Sequence, residues 1–181
     1  GVGYIPAERK DVGSIGAFTL VENVAMNYYH DKKFSRNGIL DYRGLRNFTQ
    51  KLVSEYNVAT PSPDTQAQNL SGGNLQKLIL ARVFSRQPKL VIANLPTQGL
   101  DVGAIEFVQN KLIAAKKEKA AILLISEDLD EVLSLSDWVA PIYEGKFMDI
   151  IPGNKAKLET VGALMAGSRS EETADSAGEE K

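Results

Sequence analysis

The sequence predicts an α/β fold: a mainly parallel sheet with a helical insertion near its start, and a β-hairpin followed by a helix near its end. Three observations carry that expectation. After Pro63, the short aliphatic runs Leu90-Val91-Ile92-Ala93 and Ala121 to Ile125 alternate with stretches of helical period, the pattern of strand–helix–strand units. Before Pro63, beyond the first few residues, apolar side chains recur at helical spacing only. The chain has 181 residues, 43% of them hydrophobic, and no Cys, so its core rests on burial rather than on disulfides or Cys-type zinc sites.

Taken in order, Gly1 to Ile5 reads as a short strand that Pro6 ends, because proline offers no amide to a central ladder. The charged stretch Glu8 to Asp11, with Gly13 and Gly16, reads as a loop. Leu20, Val24 and Tyr28 place a helix over Thr19 to Tyr29. Leu45, Phe48, Leu52 and Val53 place a second over Asp41 to Tyr56. The polar stretch between them, with Lys32, Lys33, Arg36 and Gly38, is expected to be a loop, and Pro61 and Pro63 close the helical subdomain of about 14–63. A helix from the Ser71-Gly72-Gly73 turn to about Arg86 precedes the first buried strand. A helix over Val102 to Glu118, the second aliphatic strand and a short helix to Leu135 follow. Trp138 to Tyr143 and Lys146 to Ile150, joined through Glu144-Gly145, read as a hairpin, and Lys155 to Ala166 as a closing helix.

Charge is uneven. The net charge of -2 contains a segment, Ser168 to Lys181, in which Glu171, Glu172, Asp175, Glu179 and Glu180 outweigh Arg169 and Lys181, leaving the body at +1. That acidic segment, 168–181, is expected to be a disordered tail on a body of 1–167. A near-neutral body without a basic stripe makes nucleic acid a poor partner. The single histidine, His30, excludes sites that need two imidazoles and reads as an exposed loop residue. No apolar run approaches the length of a membrane span.

Leu70-Ser71-Gly72-Gly73-Asn74-Leu75-Gln76-Lys77 has the composition of an anion-binding helix start. Ser71 presents a hydroxyl, and two glycines leave backbone amides open to a phosphate. Alone, the same residues are equally a serine cap after a flexible turn. What raises the functional reading is order. Pro96-Thr97-Gln98-Gly99-Leu100-Asp101 directly follows the first aliphatic strand, and Ser126-Glu127-Asp128 follows the second. With these motifs in line, the chain resembles the ATP-binding cassette (ABC) ATPases. Leu70 to Gln76 matches their signature loop, Gly99-Leu100-Asp101 their D-loop, and Leu90 to Thr97 the region of their Walker B strand. Asn74 after the signature glycines, Gly99 to Ala104, and Tyr4-Ile5-Pro6 resemble the second, C-terminal cassette of the ATPases that energise import of simple sugars and nucleosides.

The departures from that pattern are as informative as the matches. The sequence contains no Gly-x-x-x-x-Gly-Lys-[Ser/Thr], the loop that cradles ATP's phosphates. The chain is therefore expected to be a P-loop NTPase-like cassette fragment that does not bind ATP tightly or hydrolyse it alone. Where the family's Walker B strand ends in Asp-Glu, this chain has Asn94, with no charge for magnesium, and Leu95, with no proton acceptor. The family's switch histidine aligns with Glu127, and its Q-loop glutamine with Ala7 or Glu8. These departures all point to a degenerate hydrolytic half-site, with no catalytic and no metal-ligating residue of its own.

The signature loop survives. The resemblance implies that two cassettes sandwich ATP head to tail, so Ser71, Gly72, Gly73, Asn74 and Asp101 would serve ATP held by a first cassette. ATP and magnesium belong to the assembled transporter, on the cytoplasmic side of the membrane against permease subunits. Arg9, Lys10, Ile15, Phe18 and Leu20 are candidates for the permease-facing surface, with packing of the insertion's own core as an equal reading for Phe18 and Leu20. The alternative function is a split-gene remnant that keeps only assembly contacts, and the fragment alone is expected to self-associate. Asp128, Asp130 and Glu131 read as a solvated first helical turn rather than a metal cluster, Lys116, Lys117 and Lys119 as favourable cations near a helix end, and Trp138 as a core or hairpin residue.

Overall fold

The computed structural model describes residues 1–36 and 38–168, so the tail expected from 168 onward lies, apart from Ser168, outside the described residues. The chain divides into two compact units, Gly1–Ile125 and a second from Ser126 on.

In the first unit, β1 (Val2–Ile5) leads through a loop to α1 (Leu20–Ala25). Thr19 caps that helix with a capping box: its side chain accepts from the Glu22 amide, and the Glu22 carboxylate accepts from the Thr19 amide at 2.7 Å. α1 is shorter than its apolar spacing predicts, and Tyr28 reaches the core from the turns that follow it. The stretch expected to be a loop contains a small antiparallel hairpin, β2 (Ser35–Arg36) with β3 (Ile39–Leu40). Gly38, at φ +78°, sits between them. α2 (Tyr42–Glu55) follows, capped by Asp41. The insertion closes on itself at its base: Ala67 N–H donates to Phe18 O and Gln68 N–H to Gly16 O, while Leu20 N–H returns to Thr65 O. Its interior holds Leu20, Val21, Val24, Leu45 and Leu52, with Tyr28, Phe34 and Phe48 in edge-to-face and tilted ring contacts.

α3 (Gly72–Phe84), β4 (Leu90–Asn94), α4 (Val102–Lys117) and β5 (Ala121–Ile125) complete the unit. The sheet runs β1-β4-β5, parallel throughout, with Val2 beside Leu90 and Leu90 beside Ala121. Register places Ile5, Ala93 and Leu124 in one row, and that face packs into the core with Leu78, Val83, Val108 and Leu112. The opposite face differs from the expectation of fully buried strands: Val2, Tyr4, Leu123 and Ile125 are exposed. The aliphatic runs thus exceed what one covered face needs.

In the second unit, α5 (Leu129–Leu135) is capped by Asp128, which accepts from the amides of Asp130 and Glu131. The expected two-strand hairpin is broken in two. β6 (Trp138–Val139) pairs with β9 (Ile151–Pro152), and β7 (Ile142–Tyr143) pairs with β8 (Lys146–Phe147) around Glu144-Gly145, both at positive φ. Pro141 interrupts the first predicted strand, since it lacks the amide that would continue the ladder. α6 (Leu158–Met165) starts later than predicted because Gly153–Lys155 form a 3-10 turn first. Val139, Val161 and Leu164 are buried. Trp138 is 65% exposed in β6, which removes the core alternative and leaves it a strand residue. Glu131 corrects the solvated-turn reading, being buried with neither carboxylate oxygen hydrogen-bonded.

Candidate functional site

The candidate site is built by two helix starts. Ser71 ends an extended stretch and caps α3: its Oγ accepts from Asn74 N at 3.4 Å and from Asn74 Nδ2 at 2.9 Å. Locally, then, Ser71 is a serine cap, and its own O–H proton remains available to an acceptor outside the helix. Asn74 also receives the Ala59 amide on its Oδ1 at 2.8 Å, which fixes the first turn of α3 against the end of the insertion. Asp101 plays the equivalent part for α4, its Oδ1 accepting from Ala104 N at 2.9 Å.

The two starts meet at Gly73. A Cβ there would lie 3.3 Å from Ala104 Cβ and 3.7 Å from Asp101 Oδ2, so the glycine permits the close approach of α3 to α4. Gly72 is different. A Cβ there would meet nothing nearer than Arg9 Nη1 at 3.8 Å. The two glycines therefore differ: a side chain at 73 would have to displace Ala104 by a few tenths of an ångström, while one at 72 would make ordinary contact with Arg9. Gln98, Gly99, Asp101, Val102 and Gly103 are exposed around the same spot, and Gly99 turns the loop at φ +64°.

Beneath the exposed surface lies a polar brace. Gln76, fully buried one turn into α3, donates from Nε2 to Pro96 O at 2.7 Å and accepts on Oε1 from Arg9 Nε at 3.2 Å. Arg9 also donates from Nη2 to Gln98 O. Burial pushes the Arg9 guanidinium below its usual pKa, against the opposing pull of Glu8. Neither Arg9 nor Gln76 was singled out for this place; Gln76 was read as part of the helix start and Arg9 as part of an outward-facing surface. A lone arginine in a charged loop carries no sequence signal of which way it turns.

The other predicted positions are laid out as follows. Asn94 ends β4 beside Ile125, and Leu95 follows with φ +45°, its amide donating to Ile125 O at 2.8 Å. The side chains there do not fit a magnesium ion: Asn94 is neutral and the Leu95 side chain has no donor atom. Among the described residues no group of three or more His, Asp or Glu could hold a metal. Glu127 belongs to the second unit and is exposed. Of the residues suggested for an outward surface, Lys10, Ile15 and Phe18 are exposed, while Leu20 is wholly buried and packs the insertion's core. His30 is exposed, its ring against Tyr29. No helix among the described residues is long and apolar enough to cross a membrane.

The chain has counterparts among known proteins. The solved structures it resembles include an ATP-binding cassette dimer in a post-hydrolysis state bound to ADP and phosphate, at TM-score 0.66 and 16% identity, covering 83% of this chain and 62% of that one. Another is a metal-chelate type ABC transporter in an inward-facing conformation, at TM-score 0.73 and 16% identity, covering 92% and 63%. The fold is that of an ABC ATPase cassette. The chain's relatives are ATP-binding proteins of nucleoside and sugar importers: the guanosine import protein NupO of Bacillus subtilis is 41% identical over 95% of this chain and 34% of its own length. The nucleoside import protein NupA of Lactococcus lactis is 39% identical over 92% and 33%, and the glucose import protein TsgD13 of Haloferax volcanii 40% over 92% and 31%. The chain thus spans about a third of the length of these relatives. No protein-family model matches it.

Proposed function

We propose that the chain is the second, degenerate cassette of an ABC importer's ATP-binding protein, of the simple sugar or nucleoside class, acting in trans on ATP held by a first cassette. The observation that carries this reading is the meeting of the two helix starts: Gly73 lies against Asp101, so the signature-like loop and the D-loop-like loop form one exposed surface. Gly72 supports it, because a Cβ there would meet only Arg9 Nη1, at the ordinary contact distance of 3.8 Å, so packing among the described residues does not ask for glycine there. An anion brought from outside would meet the α3 amides, the Ser71 hydroxyl and the positive end of the helix dipole.

The end of β4 supports the other half of the proposal. With Asn94 and Leu95 in place of two carboxylates, and Glu127 where a histidine would reach phosphate, this cassette contributes no general base and no magnesium ligand to a site of its own. ATP and magnesium would be bound by the first cassette and hydrolysed there. The complex would sit on the cytoplasmic face of the membrane against the permease subunits, with Lys10, Ile15 and Phe18 on the surface turned to them. Asp101 would position the partner's reacting groups rather than take a proton.

The test is to titrate this chain into a purified first cassette and follow phosphate release. The chain alone is expected to release none, and the mixture to exceed the first cassette alone by about a hundredfold, the lower end of what a single oxyanion donor contributes (about 10² to 10³ in kcat). No rise at a saturating amount of the chain would overturn the proposal.

A further inference from the structure

Arg9, with Gln76, joins the loop after β1, the first turns of α3 and the loop before α4. Its Nε reaches Gln76 on α3, its Nη2 reaches Gln98 O three residues before Asp101, and its Nη1 lies over the open side of Gly72. Gln76 closes the third side through Pro96 O. The result is a triangle of charge-assisted and amide hydrogen bonds around the ground between Gly72 and Asp101.

The segment that carries Arg9 is itself held firmly on α3. Gly13 N–H and Val12 N–H both donate to Glu8 O, and Ser14 Oγ donates to Arg9 O at 2.9 Å. Arg82, six residues along α3 from Gln76, donates to Gly13 O at 2.5 Å. A Cβ on Gly13 would stand 2.7 Å from Ile79 Cδ1, so this loop rests on α3 at contact distance. Its other side presents Lys10, Ile15 and Phe18 to solvent.

We propose that Arg9 is a positioning residue: its guanidinium sets the 96–101 loop against the start of α3, so that the loop after β1 governs the spacing of the two halves of the candidate site. The structural half of this stands on the chain alone. Its consequence for turnover rests on the trans role proposed above. Any displacement of the exposed side of the 8–18 segment would reach Gln98 and Gly72 through one side chain. Lysine would not substitute, because a single ammonium cannot span Gln76 Oε1 and Gln98 O with the planar fork that arginine uses.

The experiment is amide hydrogen exchange on the whole chain, comparing wild type with Arg9→Gln and Arg9→Lys. In Arg9→Gln the amides of Gln98 and Leu100, which bond to Leu95 O and Thr97 O, are expected to exchange about tenfold faster, with Val91 and Ile122 in the sheet unchanged. Arg9→Lys should recover less than half of the difference. Uniform acceleration through β4 and β5 would mark a merely structural role and overturn the proposal, as would a 98–101 loop that exchanges at the wild-type rate in Arg9→Gln. A second readout uses the first cassette: Arg9→Gln should lower kcat of the mixture while leaving KM for ATP unchanged. If wild type itself gives no stimulation, the trans role fails, and the exchange result decides on Arg9 independently.

Discussion

The start of α3 and the end of β4 are separated by a single polar brace, yet they differ in what their residues can do. At α3, Ser71, Gly72 and Gly73 leave amides and a hydroxyl proton open beside Asp101. At β4, Asn94 and Leu95 end the strand with a neutral amide and an aliphatic side chain, and Leu95 is bent to positive φ. Under the proposed reading one end would receive charge from outside, while the other offers no carboxylate to activate water or hold a metal.

The largest expected effect in the chain alone comes from treating the two glycines separately. Gly73→Val pushes a branched side chain onto Ala104 and Asp101 and should cost about 1–3 kcal/mol, the usual range for overpacking. At the size of this chain that is a melting temperature lower by several degrees, on the order of 2–4 °C per kcal/mol. Gly72→Ala, in open space at the first helical position, should instead leave stability unchanged or raise it by about 0.4–1 kcal/mol. Thermal unfolding of the two variants side by side measures both. Equal losses would mean that the α3–α4 contact is not what glycine serves.

The next effect tests the α4 half. Asp101→Ala removes the acceptor of the Ala104 amide and should cost about 1 kcal/mol as a lost cap, with Asp101→Asn recovering most of it. A larger loss would require a role for Asp101 within the chain beyond capping.

Much of this comparison was legible in the sequence, and the reasons lie in particular residues. The strands Leu90–Asn94 and Ala121–Ile125 and the helix Val102–Lys117 fall almost where aliphatic runs and period place them, since backbone pairing and burial agree there. Ser71 is recognisable as a cap residue from type and position, whereas the capping role of Asp101 emerges only from the structure. The β2–β3 hairpin was not, because two-residue strands carry too few positions to show alternation. For Trp138 the sequence leaves core and hairpin open, because bulk suggests burial; its strand pairs through the backbone with β9 and leaves the ring outside. Glu131 was misread for the opposite reason: three acids at a helix start look solvated, and only packing shows that one is enclosed. The Arg9–Gln76 brace spans 67 residues of sequence, a separation at which side-chain pairing leaves no local pattern.

The smallest expected effect lies in the insertion that frames the site. Hydrogen bonds from the Thr19 amide and hydroxyl hold the Glu22 carboxyl below its usual pKa, and hydrogen bonding to Arg46 does the same for Asp64. A depressed carboxyl contributes stability that is fully present above its unfolded value, about 4, and is lost as pH falls through its folded value. Amides of α1 and of the Ser62–Thr65 turn should therefore lose protection below about pH 4, ahead of the α3 amides. Thr19→Ala should remove part of that acid sensitivity, and an unchanged profile would place its origin elsewhere.

The central claim, that the start of α3 serves ATP held by another cassette, is tested most directly with Gly72→Asp in the mixture with the first cassette. A Cβ at 72 meets only the end of the Arg9 side chain, Nη1 at the ordinary contact distance of 3.8 Å, so melting temperature should stay near that of wild type. The added carboxylate stands where phosphate would approach, and phosphate release by the mixture should fall to the level of the first cassette alone. A folded Gly72→Asp chain that stimulates release as well as wild type does would contradict the account.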